Sequence, residues 1–323
     1  MSDLDKSILD NLKKLDGIGD TTAKKLISGG FQTITQLSTA NADDLALNSG
    51  LPLNTANRII SNAREYLIKR SFITAFEDLQ KRKEAERFTF GVKALDELIG
   101  GGIETKSTIE IAGEYRTGKT QIAHQICVTV QLPKERGGLD SKAIFLDCEK
   151  TFRPERIMDI AKRFELDPEK VLNNIFIKKI YSTDDLFLVF GALEDIIDNN
   201  NIKLLIVDSI ISHLRSEFVG RETLSERQAK LSKMLGFLSK LADNKNIAVV
   251  YTNQVLSDPS INWGNPTKPT GGNIMAHAAT FRIMLRKGKE NTRIARLIDC
   301  SFLPEREIVY EITENGLEDF EKK

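Results

Sequence analysis

Histidine, cysteine and tryptophan are scarce: the 323 residues include 3, 3 and 1 of them. So few histidines leave little material for a His-rich metal site. Cys127, Cys148 and Cys300 form an odd set without paired spacing. That excludes a disulfide scaffold and a zinc-type CxxC pair, and fits a reducing compartment. They are expected to act as small buried hydrophobes. Net charge is also missing, because Lys+Arg and Asp+Glu both number 46. The global field is therefore not basic, and any surface for nucleic acid must be local. No apolar run approaches the roughly 18 residues that span a bilayer. The opening "MSDLDKSILDNLKK" is too charged for a signal peptide. The expectation is an intracellular protein, cytoplasmic or nucleoid-associated, with no membrane partner.

What remains is ordinary for a globular chain: 41% hydrophobic and 28% charged residues, enough for one or two domains. Residues 1–70 read as a small helical domain. "ILDNLKKL", "TTAKKLI", "ITQLSTA" and "TANRIISNAREYLI" repeat apolar residues every three or four positions. Residues 71–87 read as a linker, with an apolar start (Phe72, Ile73, Ala75, Phe76) and a charged end. From 88 to 323 the pattern changes. Short β-branched runs, "STIEIA", "KAIFLD", "IKLLIVD" and "NIAVVYT", alternate with helix-like stretches. That alternation predicts an α/β core with a mainly parallel sheet flanked by helices. Three closely spaced runs in 281–312 predict a small antiparallel extension.

The most informative stretch is "GEYRTGKTQ" at 113–121. Gly113, Gly118, Lys119 and Thr120 satisfy G-x-x-x-x-G-K-[ST], placed after a strand run and before a helix. Such a loop cradles phosphates with backbone N–H groups. The lysine reaches the β- and γ-phosphates and the Thr hydroxyl reaches Mg²⁺. The blander alternative is a glycine turn with an idle lysine. Asp208 ends "IKLLIVD", where a magnesium shell needs a carboxylate; alone that signal is weak, since many strands end in Asp. Glu149, beyond "KAIFLD", could deprotonate an attacking water, or it could be a cap or surface carboxylate. Asn253 and Gln254 end another strand, where an amide can sense a γ-phosphate or simply cap the sheet.

Two loops follow these tips. The first carries Arg215, Arg221 and Arg227, with Gly220 beside Arg221. Arginines there would anchor a nucleic-acid backbone, although the interleaved Glu217, Glu222 and Glu226 also suit a solvated helix face. The second, 256–272, reads as long and structureless. It contains Trp263, for which base stacking and packing within the loop are both open, and ends in Gly271 and Gly272. In the helical domain, Gly17 and Gly19 form a "GIG" turn flanked by Lys13, Lys14, Lys24 and Lys25. It could present amides to duplex DNA or merely join two helices.

In this order, "LDGIGDTTAKKL", "SFITAFE", "GEYRTGKTQ", "FRPERI", "RSEFVGRETLSERQ", "TNQV", "GGNIMAHAATFR" and "DCSFLPE" resemble the RecA/RadA strand-exchange recombinases, in their archaeal and eukaryotic branch. The resemblance implies a RecA-like P-loop ATPase core of strand order 5-1-4-3-2, preceded by a helix-hairpin-helix domain. It implies ATP and Mg²⁺ as cofactors, with the nucleotide held along Gly113, Glu114, Tyr115, Arg116, Thr117, Gly118, Lys119, Thr120 and Gln121. Glu149 matches the family's catalytic glutamate, working with Lys119 and Gln254. Arg156 matches a residue stacked on adenine. Asp299 and Pro304 match positions that reach the nucleotide of the neighbouring subunit, and His277 one near the γ-phosphate. Thr120 and Asp208 would serve the metal. Phe72 and Ala75 match an oligomerisation motif, which implies a homo-oligomer, a helical filament or rings. The partners implied are single-stranded and double-stranded DNA.

The sequence departs from the pattern at Lys150, usually glycine, at Cys148, usually Thr, and at Ser301, where proline is common. The function expected is ATP-dependent strand exchange. A recombination mediator paralog stands beside it, and a hexameric helicase or circadian-type ATPase is disfavoured by the N-terminal domain and the "SFITAFE" linker.

Overall fold

The structure is a computed structural model that describes residues 3–257 and 267–321. The chain forms two compact units, Met1–Lys83 and Glu84–Lys323.

In the first unit, among the described residues, five helices share one core: Asp3–Leu12, Asp20–Ser28, Ile34–Thr39, Ala42–Ser49 and Leu53–Ser71. Leu12, Leu26, Leu37, Leu45 and Ile59 meet at its centre. The three- and four-residue spacing of these residues puts them on inward stripes. Helix Ala42–Ser49 was not expected. Its buried positions are Leu45 and Ser49, so it shows no apolar repeat, and only its Asn41 cap, which accepts from Asp43 N, marks its start. Gly17 has φ 82°, which a Cβ would oppose, and it turns the chain between the first two helices. Past Phe72 a further helix, Ala75–Arg82, begins at a capping box. Thr74 and Glu77 exchange hydrogen bonds of 2.7 and 3.1 Å. None of its residues is buried.

The second unit opens with a short antiparallel pair, β1 (Arg87–Phe88) and β2 (Ile103–Glu104). The main strands are β3 (Ser107–Gly113), β4 (Lys142–Asp147), β5 (Ile175–Lys179), β6 (Ile202–Asp208), β7 (Ala248–Ser257), β8 (Thr267–Pro269), β9 (Phe281–Lys287), β10 (Thr292–Cys300), β11 (Arg306–Thr313) and β12 (Gly316–Asp319). They form one sheet ordered β12-β11-β10-β9-β3-β7-β6-β4-β5, with β8 added on β7. From β9 to β5 the pairing is parallel, and from β9 to β12 it is antiparallel. The run β9-β3-β7-β6-β4 is the expected 5-1-4-3-2.

Alternation explains why these strands need helices on both sides. Phe145, Leu204, Ile206 and Val250 enter one core with Ile122, Ile126 and Ile160. Their sequence neighbours Ile144, Leu205, Val207 and Val249 enter a second core with Phe190, Leu193 and Leu238. Successive side chains point to opposite faces, so a continuous apolar run feeds two cores.

Two expectations need correction. The stretch 256–272 is not wholly structureless. Val255, Leu256 and Ser257 of β7 pair with Pro269, Lys268 and Thr267 of β8. Pro269 keeps the residue before it extended, and its missing N–H is tolerated at an edge. Trp263 lies outside the described residues. Strand β5 was also missed: three apolar residues followed by Lys178 and Lys179 make a short edge strand, the kind that lysines protect from further pairing. Among the described residues, no helix is long and apolar enough to cross a membrane.

Candidate nucleotide site

Strand register gathers the candidate residues at the carboxyl ends of neighbouring strands, on two levels two residues apart. Gly113 of β3 stands opposite Gln254 of β7, and Asp147 of β4 opposite Asp208 of β6. The carboxyl ends of parallel strands form the crevice in which open α/β sheets take ligands.

The loop from Gly113 leads into helix Lys119–Thr129, whose N-terminus has no side-chain cap. Its first-turn N–H groups are thereby left for an anion. Side chains would not fit at the two glycines of this loop. A Cβ on Gly113 would lie 2.6 Å from Thr117 Oγ1 and 2.8 Å from the Leu285 carbonyl oxygen. Gly118 has φ 101°, and its Cβ would meet Ile312 Cδ1 at 2.8 Å. The Lys119 ammonium donates to the carbonyl oxygens of Gly113 and Glu114 at 2.8 and 2.9 Å. Burial pulls its pKa below the ordinary lysine value, while Glu149 and Asp208 oppose that shift.

Asp208 is buried and accepts from three hydroxyls: Thr120 at 2.8 Å, Thr151 at 3.1 Å, and Thr252. Burial raises its pKa above the usual carboxylate range, and the nearby Glu149 adds to the rise. Among the described residues no cationic side chain pairs with it. A divalent cation beside Thr120 would supply the missing charge, so the donor set fits Mg²⁺.

Glu149 lies on a segment tied down at both ends. Cys148 N donates to the Asp208 carbonyl at 2.7 Å. Thr151 N and Phe152 N donate to the Asp147 carboxylate at 3.0 and 3.2 Å. Gln254 Nε2 donates to Glu149 Oε1 at 2.9 Å, and Arg215 Nη1 donates to Gln254 Oε1. An unbroken chain thus runs from Glu149 through Gln254 to Arg215. Lys150, the departure beside Glu149, has φ 58°, and its ammonium lies 5.5 Å from the centre of the Tyr181 ring.

A cavity of about 600 Å³ collects Tyr115, Arg116, Gly118, Lys119, Thr120, Gln121, Glu149 and Arg156. Arg156 is fixed by Gln121 Oε1 and the Thr313 carbonyl, both at 2.8 Å. Thr151, Arg293, Ile312 and Thr313 also line it, and the sequence reading missed them. Thr151 and Thr252 were detectable in principle, as hydroxyls interrupting the apolar or charged pattern next to a strand tip. Ile312 and Thr313 come from the distant strand β11 and gave no signal. Asp299, Pro304 and His277 are not among the lining residues. Asp299 pairs in register with Arg282, and His277 lines a separate groove of about 490 Å³ with Asn273 and Leu235.

The arginines read as one loop are mostly helical, which corrects that reading. Arg215 is on helix Ser212–Glu217 and Arg227 on helix Leu224–Lys245, leaving Arg221 in the connection. Of the interleaved glutamates, Glu217 and Glu226 lie on those helices and Glu222 in the connection. Gly271 and Gly272 open the short helix Gly272–Ala276. Gly17 and Gly19 belong to the first unit. Phe72 is 78% exposed, so it does not pack on its own bundle.

An uncapped glycine loop, a buried aspartate on a nearby strand and this strand order define a RecA-like nucleotide-binding core. Residues 81–320 match the Rad51 family, and residues 9–65 match the SAM-like helix-hairpin-helix tandem. The chain belongs to the Rad51 family of RecA-like ATPases that act in recombination. Proteins of this family bind ATP with Mg²⁺.

Proposed function

We propose that this chain is an archaeal RadA-like DNA recombinase, which forms helical filaments on single-stranded DNA and catalyses homologous pairing and strand exchange in repair. ATP supplies a cleavable phosphoanhydride and Mg²⁺ neutralises its charge. The loop amides and Lys119 hold the phosphates, Thr120 and Asp208 hold the metal, and Arg156 flanks the base. Gln254 donates to Glu149 Oε1 and orients the carboxylate, which takes a proton from water. Asp299 and Pro304 act on the nucleotide of the next subunit, and His277 lies near the γ-phosphate and couples ATP to DNA. Phe72 and Ala75 join protomers head to tail.

The observation that carries this reading is the Arg215–Gln254–Glu149 chain. It links a carboxylate in the nucleotide cavity to the helix that begins the DNA-contacting segment, with Arg215, Arg221 and Arg227, alongside Gly271 and Gly272. A change at the phosphates then biases the DNA surface, and DNA biases the phosphates in return. Sequence is read by base pairing, not by side chains. We assign residues 1–70 to duplex contact through Gly17 and Gly19, 71–87 to a linker for oligomerisation, and 88–323 to the motor core.

The test is a strand-exchange assay with ATP and with a slowly hydrolysed analogue, beside electron microscopy of the DNA complex. Joint molecules and regular filaments are expected. Nucleotide binding without exchange would replace this reading with the second one, a mediator that binds nucleotide and a partner recombinase. The strained Lys150 backbone beside Glu149 is the feature that favours that second reading.

A further inference from the structure

His124 lies one helical turn beyond Thr120 and is 1% exposed. Its ring packs against two aromatics that also touch each other, Phe145 of β4 at 5.7 Å and Phe152 at 5.3 Å between centroids. A phenylalanine would fill such a slot without the cost of burying a polar ring. The imidazole can do what a phenyl ring could not: its Nε2 accepts a hydrogen bond from the backbone N–H of Arg153 at 3.1 Å. With Nε2 accepting, the proton of the neutral ring sits on Nδ1. Burial favours that neutral form.

Arg153 N is the last of three consecutive amides held by side chains. Thr151 N and Phe152 N are bound by Asp147, and Arg153 N by His124. Residues 148–153 are neither helix nor strand, so no regular ladder fixes their shape. Asp147 holds this segment to the sheet. His124 holds it to the helix that starts at the phosphate loop.

We propose that His124 is a positioning residue for ATP hydrolysis, which fixes Glu149 relative to Lys119 and Thr120 by anchoring the Arg153 amide. The inference rests on the reading of Glu149 as the base. It makes His124 a link between the two halves of the site, touching neither nucleotide nor water. A displacement of about 1 Å in such a group can cost about 100-fold in rate.

The experiment compares wild type, His124→Phe, His124→Gln and Glu149→Gln. Phe keeps the aromatic packing and removes the acceptor, whereas Gln restores a carbonyl oxygen near the Nε2 position. In His124→Phe the kcat of ATP hydrolysis should fall about 10- to 100-fold, with KM and nucleotide Kd unchanged within about twofold. His124→Gln should recover most of the loss. Hydrogen exchange in nucleotide-free protein gives a readout independent of hydrolysis. The 149–156 peptide should exchange about five- to tenfold faster in His124→Phe, the worth of one hydrogen bond, and at the wild-type rate in His124→Gln. If Glu149→Gln abolishes hydrolysis while His124→Phe keeps full kcat and normal exchange, the proposal is wrong and the base assignment stands. If Phe and Gln lose rate equally and both lower the melting temperature, the role is packing and the proposal is also wrong. If Glu149→Gln hydrolyses ATP like wild type, the base assignment itself fails.

Discussion

Phe72→Ala separates a residue that stabilises its own fold from one that stabilises an assembly. Phe72 follows the end of helix Leu53–Ser71, at 78% exposure. The Thr74–Glu77 capping box begins the next helix just after it, so the ring is presented from a defined backbone. Truncating an exposed side chain typically changes folding stability by no more than about 0.5 kcal/mol, so the melting temperature should hold. Seating the ring in a neighbour would bury a Phe worth about 1.5–3 kcal/mol. At about 1.4 kcal/mol per decade, each junction should weaken by about 10- to 150-fold. Sedimentation velocity over a protein concentration series, without DNA, reads that shift directly. An unchanged association midpoint would refute the junction. A lowered melting temperature would put Phe72 in its own core, against the exposure on which the argument rests.

Other outcomes follow from the site. Lys119→Ala should abolish nucleotide binding or turnover, and wild-type ATPase activity in that variant would remove the phosphate-loop assignment. Arg221→Ala should weaken single-strand binding and make its salt dependence shallower by about 0.7 for one lost phosphate contact; an unchanged slope would place the strand elsewhere. The His124 pKa is pushed down to about 4 from 6.5 by burial, so between those values the unfolded chain binds the extra proton. Its contribution is intact above pH 6.5 and declines as pH falls towards 4, by about 2–3 kcal/mol at pH 4.5. Urea midpoints at pH 7 and 4.5 should therefore differ less in His124→Phe than in wild type. Identical differences would contradict the buried neutral ring.

The legible parts of the sequence were those with a strong local signature. The Gly113–Thr120 spacing, the four buried strand runs and the carboxylates at their tips needed no long-range information. The strand order came from the family resemblance, and register then brought Gly113 and Gln254, and two residues short of them Asp147 and Asp208, to the same end of the sheet. What escaped was short or distributed. Strand β5 is too brief to display a period, and helix Ala42–Ser49 buries Leu45 and a serine and so has no apolar repeat. Thr151, Thr252 and His124 act through contacts between elements far apart in the chain. The three arginines looked like one loop because their six-residue spacing hid two helix ends, and the 256–272 stretch hid a strand behind its prolines.

The measurement that bears most directly on the coupling between nucleotide and DNA is single-strand affinity with and without ATP·Mg²⁺, in wild type and in Gln254→Ala. Wild type should bind tighter with nucleotide by a coupling of about 1–3 kcal/mol, about 5- to 150-fold, and Gln254→Ala should lose most of that difference while still binding ATP. Equal affinity with and without nucleotide in wild type would contradict the coupling, and with it the role given to the Arg215–Gln254–Glu149 chain.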